Sequence, residues 1–351
     1  ADPVDAADPA AADPAPADPA PADPAPADPA PADAPPAPDA PPAPDASAPE
    51  PAGSTSEVVD PSVWTVQMTS TTGRLVFNPD GTVTFGDETR AVAGLITIHV
   101  IGTSGDDTFT VDRGTSNPAV RIVFDGADGF DTLATAGDAS TSRSMAADQH
   151  SGVLYLDATV IEYLNIEPIA NGGNTSDAIY DLGGADNDDA VLQLDGSGQL
   201  KLSGTGFETV LFSAPSTSLT IRGGAGRDTL TVRGLIALSA AALLIQMEHI
   251  LLDDDAVITT SGTVTLEAES SVTGGPTLGC VLALATHCAD ASVDVNGGDI
   301  TAGALNLTAT ATVVPDAGHA TAYGILVDSS AHVSVIGNAV LAASGAVALS
   351  A

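Results

Sequence analysis

Along most of the chain, apolar residues fall at every second position in short runs, and Gly, Asp, Asn and Ser separate the runs. A period of two puts the apolar set on one face of an extended strand and the polar set on the other. The pattern is cleanest over residues 256–351. There "AVITTSGTVTLEA", "GDITAGALNLTA" and "AVLAASGAVALSA" align on Gly262, Gly303 and Gly345, 41 and 42 residues apart. Val, Ile and Leu alternate with Thr, Ser and Ala on either side of each glycine, so one face must be buried. Two coils of ~20 residues per repeat predict a parallel β-helix.

Residues 58–255 read as strands with less even spacing. "WTVQM", "LVFNPDGTVTF" and "LITIHVIG" come first, with "NPDGT" as a hairpin turn. A Gly/Asp element then recurs. "GTSGDDTFT", "GADGFDTLA", "GGNTSDAIY", "GADNDDAVL" and "GGAGRDTLT" start at Gly102, Gly126, Gly172, Gly184 and Gly223. Their sixth position is Asp107, Asp131, Asp177, Asp189 and Asp228 in turn. A second element, an apolar run holding one Glu, appears as "VIEYLNI", "GFETVLF" and "QMEHILL" and aligns Glu162, Glu208 and Glu248. Internal repetition of this kind predicts stacked units rather than one closed globule. "LIALSAAALLIQMEHILL" is readable as a helix, because Leu244, Met247 and Leu251 share a helical face. Its match to the Glu element favours a strand from about Leu244.

Residues 1–57 differ in kind. Asp13, Asp18, Asp23, Asp28 and Asp33 keep a strict period of five within a Pro/Ala/Asp tract that has no basic residue and almost nothing large and apolar. Proline removes backbone donors and like charges repel, which predicts a disordered, extended spacer. The expected fold is therefore all-β, a right-handed parallel β-helix or solenoid preceded by a disordered segment. Its divisions are 1–57, 58–255 and 256–351.

Charge narrows the function. The 351 residues carry 46 acidic against 9 basic groups, a formal net charge of −37, and a single lysine, Lys201. Nucleic-acid binding needs cations to displace phosphate counterions, so it is not expected. An anionic membrane surface is unsuited for the same reason, and no apolar run is long enough to predict a spanning helix. The chain opens with neither an initiator Met nor a signal region and stops inside a repeat, which suggests a piece of a longer protein.

Candidate chemistry is sparse. Cys280 and Cys288 bracket "VLALATH"; a disulfide is geometrically allowed, and a pair of buried thiols is the alternative. His287 beside Cys288 makes no dyad, since neighbours on a strand point to opposite faces. A β-helix enzyme acting on polysaccharide would need a basic group among carboxylates, and Arg222 and Arg227 flanking Asp228 are the only such pair. Aromatic residues are 3% of the chain, and Trp64 suits a core or cap role. No catalytic residue is assigned, and the chain is not expected to be an enzyme.

On these residues the Gly/Asp nonapeptides resemble the hemolysin-type (RTX) calcium-binding turns, and residues 256–351 resemble filamentous-hemagglutinin-type β-helix repeats. The "ADP"-rich opening is similar to the segment that follows the LEPR-XLL element of very large bacterial surface proteins, although that element is not in this chain. The resemblance implies an extracellular or cell-surface location, an adhesive or structural role, an unidentified polysaccharide or protein ligand, and calcium as cofactor. The calcium ligands it implies are Asp107, Asp131 and Asp228, with a denser group at Asp177, Asp181, Asp186, Asp188 and Asp189. Calcium takes six to eight oxygens, which tandem turns supply together. Here the starts lie 24, 46, 12 and 39 residues apart, so the residues favour plain turns first and calcium second.

Overall fold

The structure, a computed structural model, describes residues 60–184, 188–274, 286–315 and 326–351. The predicted spacer, Asp186 and Cys280 lie outside the described residues, so the spacer and the proposed Cys280–Cys288 bridge are not seen. Residues 57–351 form one compact unit, and every regular element described in it is a strand.

The unit begins with β1 (Val63–Gln67) and β2 (Thr72–Phe77), and the antiparallel strands β3 (Thr82–Phe85) and β4 (Glu88–Ala91) cover the edge of β2. The chain then alternates between two faces through β5 (Thr97–Ile101), β6 (Thr108–Asp112), β7 (Arg121–Asp125) and β8 (Thr132–Ala136). An antiparallel meander follows on the first face: β9 (Ala139–Asp148), β10 (Ser151–Leu156) and β11 (Thr159–Leu164). After β12 (Ile169–Asn171) and β13 (Thr175–Asp181), a second meander lies on the other face: β14 (Asp189–Leu194), β15 (Leu200–Gly204) and β16 (Val210–Phe212). Regular coils resume with β17 (Ser218–Arg222) and β18 (Thr229–Val232). From β19 (Leu235–Ala237) onward a third face is added. The remaining strands are β20 (Ala242–Met247), β21 (His249–Leu252), β22 (Val257–Thr259), β23 (Thr263–Gly274), β24 (Thr286–Asn296), β25 (Asp299–Ala302), β26 (Ala304–Pro315), β27 (Leu326–Ile336), β28 (Val340–Ala343) and β29 (Val347–Ser350).

Sheet order shows how the meanders fit. The first sheet runs β1-β5-β7-β11-β10-β9-β13-β17-β20-β23-β26-β29, and the second, counted from β2, runs β2-β6-β8-β12-β16-β15-β14-β18-β21-β24-β27. Each meander adds two strands to its own sheet. The two additions match, so β13 faces β14 and β17 faces β18 at the same position in both sheets. The third face is the short sheet β19-β22-β25-β28.

Alternation fills the interior with rows of stacked side chains. One row passes through Trp64, Ile98, Ile122, Ile161 and Leu154, and after Ser144 it continues through Tyr180, Ile221, Ile245, Leu266 and Leu307. Its apolar members are all buried. Trp64 ends this row, buried in the core with Arg90 stacked on its ring at 5.0 Å, in keeping with the core or cap role its position suggested. Beside the meander the interior between the two sheets turns polar. Thr135 donates to Asn171 at 2.7 Å, and Asn171 donates to Ser142 at 3.0 Å, so the buried hydroxyls and amide satisfy one another.

Two readings change, and the strand expected from about Leu244 is found. The 41-residue repeat is one coil, not two, because β23 pairs directly with β26 in the register Thr263↔Ala304. Longer strands, 12 residues in β23 and 11 in β24, take up part of the difference. "LIALSAAALLIQMEHILL" forms β19, β20 and β21, and its strand begins at Ala242. Glu162 does not share a slot with Glu208 and Glu248. It lies mid-strand on β11 and pairs with Arg121, while Glu208 and Glu248 sit at the turn before a strand of the second sheet.

Candidate functional site

The turn from the first sheet to the second carries an acidic residue at nearly every coil, just before the incoming strand. Backbone register puts Asp107, Asp131, Glu167 and Glu208 in one file and Asp188, Asp228 and Glu248 in its continuation past the second meander. A turning backbone leaves amides that cannot join the sheet ladder, and a carboxylate one coil away accepts them. The Asp107 amide donates to Asp131 Oδ1 at 2.7 Å, and the Asp131 amide to Glu167 Oε2 at 3.2 Å. Further along, the Asp188 amide donates to Asp228 Oδ1 at 3.0 Å and the Asp228 amide to Glu248 Oε2 at 2.9 Å.

The glycine that opens each turn serves the same packing. A Cβ on Gly102, Gly126 or Gly223 would press into the carboxylate of Asp107, Asp131 or Asp228, five residues on. The Gly-to-Asp spacing is thus the spacing at which a side chain folds back over its own turn. Gly224 adds a φ of +109° and lies against the Gly183 carbonyl, where no side chain fits.

These acids are buried and near one another, so their protons are held tightly. Burial, helped by the Glu167 charge, pushes Glu208 up to about 7, against the Thr209 amide and His150. Burial and the Asp228 charge push Glu248 up to about 7, and burial raises Asp228 itself. Asp131 rises to about 6, first through burial and then through the charges of Asp107, Glu167 and Asp106. Asp131 Oδ2 and Asp228 Oδ2 are buried without a hydrogen-bond partner among the described residues.

The candidate calcium ligands are therefore divided. Asp107, Asp131, Asp188 and Asp228 belong to the file, where Asp107, Asp131 and Asp228 each accept a backbone amide. Asp189 does not occupy the sixth-position slot: register places Asp188 opposite Asp228, so the turn starts at Gly183 rather than Gly184. Asp177 and Asp181 are on the first sheet. Asp177 accepts from Ser218 at 2.6 Å, and Asp181 is held by Arg143 at 2.6 Å and Arg222 at 3.4 Å. The described members of the dense group expected at 177–189 are thus divided between the first sheet and the start of β14 in the second. Among the described residues, no three His, Cys, Asp or Glu side chains are grouped to hold a metal ion. Among the described residues, these carboxylates do not converge as the oxygens around a calcium ion would, and Asp186 lies outside them.

Where the file meets the meanders, a cleft of about 520 Å³ opens, which sequence reasoning missed. Its floor is Phe207 and Glu208. Its walls are Phe130, the β9–β10 turn at Gln149 and His150, Glu167, and the β14–β15 hairpin with Asp195 and Lys201. His150 Nδ1 lies 2.9 Å from Glu167 Oε1 and 3.7 Å from Glu208 Oε2. The usable signals were the single lysine and an aromatic, Phe130, inside a Gly/Asp turn.

One Ser–His contact occurs elsewhere, His249 Nδ1 to Ser292 Oγ at 3.1 Å. The other ring nitrogen faces Arg227 at 3.2 Å instead of a carboxylate, and Ser292 is buried, so no acyl-transfer triad forms. The Arg222, Arg227 and Asp228 trio also fails to assemble. Arg222 turns to Asp181 and Gln246, Arg227 to His249 and Asp290, and Asp228 points inward. The fold defines a β-solenoid. Comparison with protein families, curated proteins and solved structures gives no match.

Proposed function

We propose that the chain is a structural and adhesive segment of a large extracellular or cell-surface bacterial protein. In this reading a stiff β-solenoid, held off by the Pro/Ala/Asp spacer, presents polar faces to a ligand. The use of scarce positive charge carries the proposal. Arg74–Asp112, Arg121–Glu162, Arg143–Asp181, Arg222–Asp181 and Arg233–Asp253 each link neighbouring coils on the outer surface. Exposed pairs contribute only ~0–1 kcal/mol each, so their effect is to fix register between coils rather than to supply stability. Arg113 is fully buried and donates to the carbonyls of Leu156 at 3.0 Å and Asp138 at 2.6 Å, closing the turn into the first meander.

The test is to display the full chain on a cell surface beside the spacer alone. Adherence to polysaccharide-coated surfaces should rise only with the full chain, and equal adherence would overturn the adhesive role. Hydrogen exchange tests stiffness: uniform protection of β5 to β26 is expected, and rapid exchange throughout would remove the rod.

A further inference from the structure

The cleft between the meanders has features that a repeating solenoid does not need. Its walls come from two hairpins inserted into otherwise regular sheets, and it holds the chain's single lysine. Every arginine is in an ion pair with a carboxylate, whereas the Lys201 side chain makes no ion pair or hydrogen bond among the described residues. At the rim, Phe130 leaves 58% of its surface in solvent although its neighbours Asp131 and Leu133 are buried. An uncommitted donor, an exposed aromatic face and a set of carboxylates thus converge on one concave space. Its volume falls in the range of small-molecule sites, roughly 300–1,000 Å³.

We propose that this cleft binds a saccharide without negative charge, stacked on Phe130, with Lys201, Gln149, Glu167 and Asp195 meeting its hydroxyl groups. A sugar ring has an apolar C–H face suited to the electron-rich face of an aromatic ring and a rim of hydroxyls that donate to carboxylates in charge-assisted bonds. Three carboxylates (Glu167, Asp195 and Glu208) against one lysine disfavour uronic acids and sulfated sugars. A peptide added as a strand needs an unpaired sheet edge, and both sheets run on past the cleft. The inference rests on the adhesive reading above and supplies its ligand class.

The lone lysine gives a local readout. Acetylation of Lys201 in the full chain is followed by mass spectrometry, with the terminal α-amine as internal reference. The probes are cellohexaose, maltohexaose and N-acetylchitohexaose, each at millimolar concentration, and a galacturonate hexamer. At least one neutral sugar should slow Lys201 acetylation about tenfold relative to the α-amine, and the galacturonate should not. Phe130→Ala, a change at an exposed side chain, should abolish protection. Phe130→Leu, which keeps the apolar bulk without the ring, should lose most of it while circular dichroism stays unchanged. Absence of protection by all three neutral sugars, equal protection by galacturonate, or full protection in both Phe130 variants would each overturn the site. Protection without surface adherence would leave the cleft standing and remove the adhesive role; adherence without protection would do the reverse.

Discussion

Replacing Glu208 and Glu248 by glutamine should stabilise the fold at pH 8 and flatten its dependence on pH. Both carboxyls are more than nine-tenths buried, and each is raised from an ordinary 4.5 to about 7. A folded state that holds a proton more tightly than the unfolded chain gains stability as pH falls through the folded value. The gain is complete below the unfolded one. The window is therefore pH 7 down to about 4.5, and the rise corresponds to about 3 kcal/mol for each glutamate. Below it the trend reverses, because Asp60, Asp80, Asp112, Asp148 and Asp195 are held low by their hydrogen bonds and lose that stabilisation when protonated. The assay is urea unfolding followed by circular dichroism at pH 8, 6.5 and 5. The natural chain should be most stable near pH 5. Glutamine keeps the shape and an oxygen for the Asp228 and Thr209 amides, so the double variant should gain at pH 8 and change little at pH 5. General self-repulsion acts in the same direction, but two substitutions hardly alter it. Lower stability of the double variant at pH 8, or a natural chain that weakens steadily from pH 8 to 5, would refute the argument.

Gly224→Ala should cost roughly 2 kcal/mol or more in urea unfolding, because its φ of +109° and the Gly183 carbonyl both reject a Cβ. Leu230→Ala, which empties a fully buried place in the second sheet, should cost about 2–5 kcal/mol by the same assay. Millimolar calcium should shift the melting temperature only slightly relative to chelator. A large shift abolished by Asp228→Asn would restore the RTX-like reading.

The strands were readable because alternation depends only on which face is buried, and both sheets bury one. The turns were readable in part. At Gly102, Gly126 and Gly223 the acid behind the glycine leaves no room for a Cβ, and at Gly102 and Gly126 a carbonyl of the neighbouring coil is closer still, so the spelling and the structure agree. At Gly183 the doubled glycine and the "DNDD" run allow two alignments, and only pairing with β18 chooses Asp188 over Asp189. Glu167 was hidden because Pro168 follows it and no glycine opens its turn. The meanders left no trace, since an antiparallel strand alternates just as a parallel one does. The cleft was invisible for that reason: Phe130, His150, Glu167, Lys201 and Glu208 are brought together by strand order, not by spacing.

The matched meanders also bear on how the chain comes apart. A plain solenoid contacts only its neighbours, so it can fray one coil at a time from either end. Here β9, sixth in its sheet, is threaded before β11, fourth in that sheet, and β14, seventh in the other, before β16, the fifth. No single coil between β8 and β17 can leave by itself, because its strands are covalently continuous with strands several places away. Unzipping from either end should run freely to this block and halt there, until the whole block yields at once. The molecule carries a keystone in its middle, and force applied along the stack should be resisted there rather than at its ends.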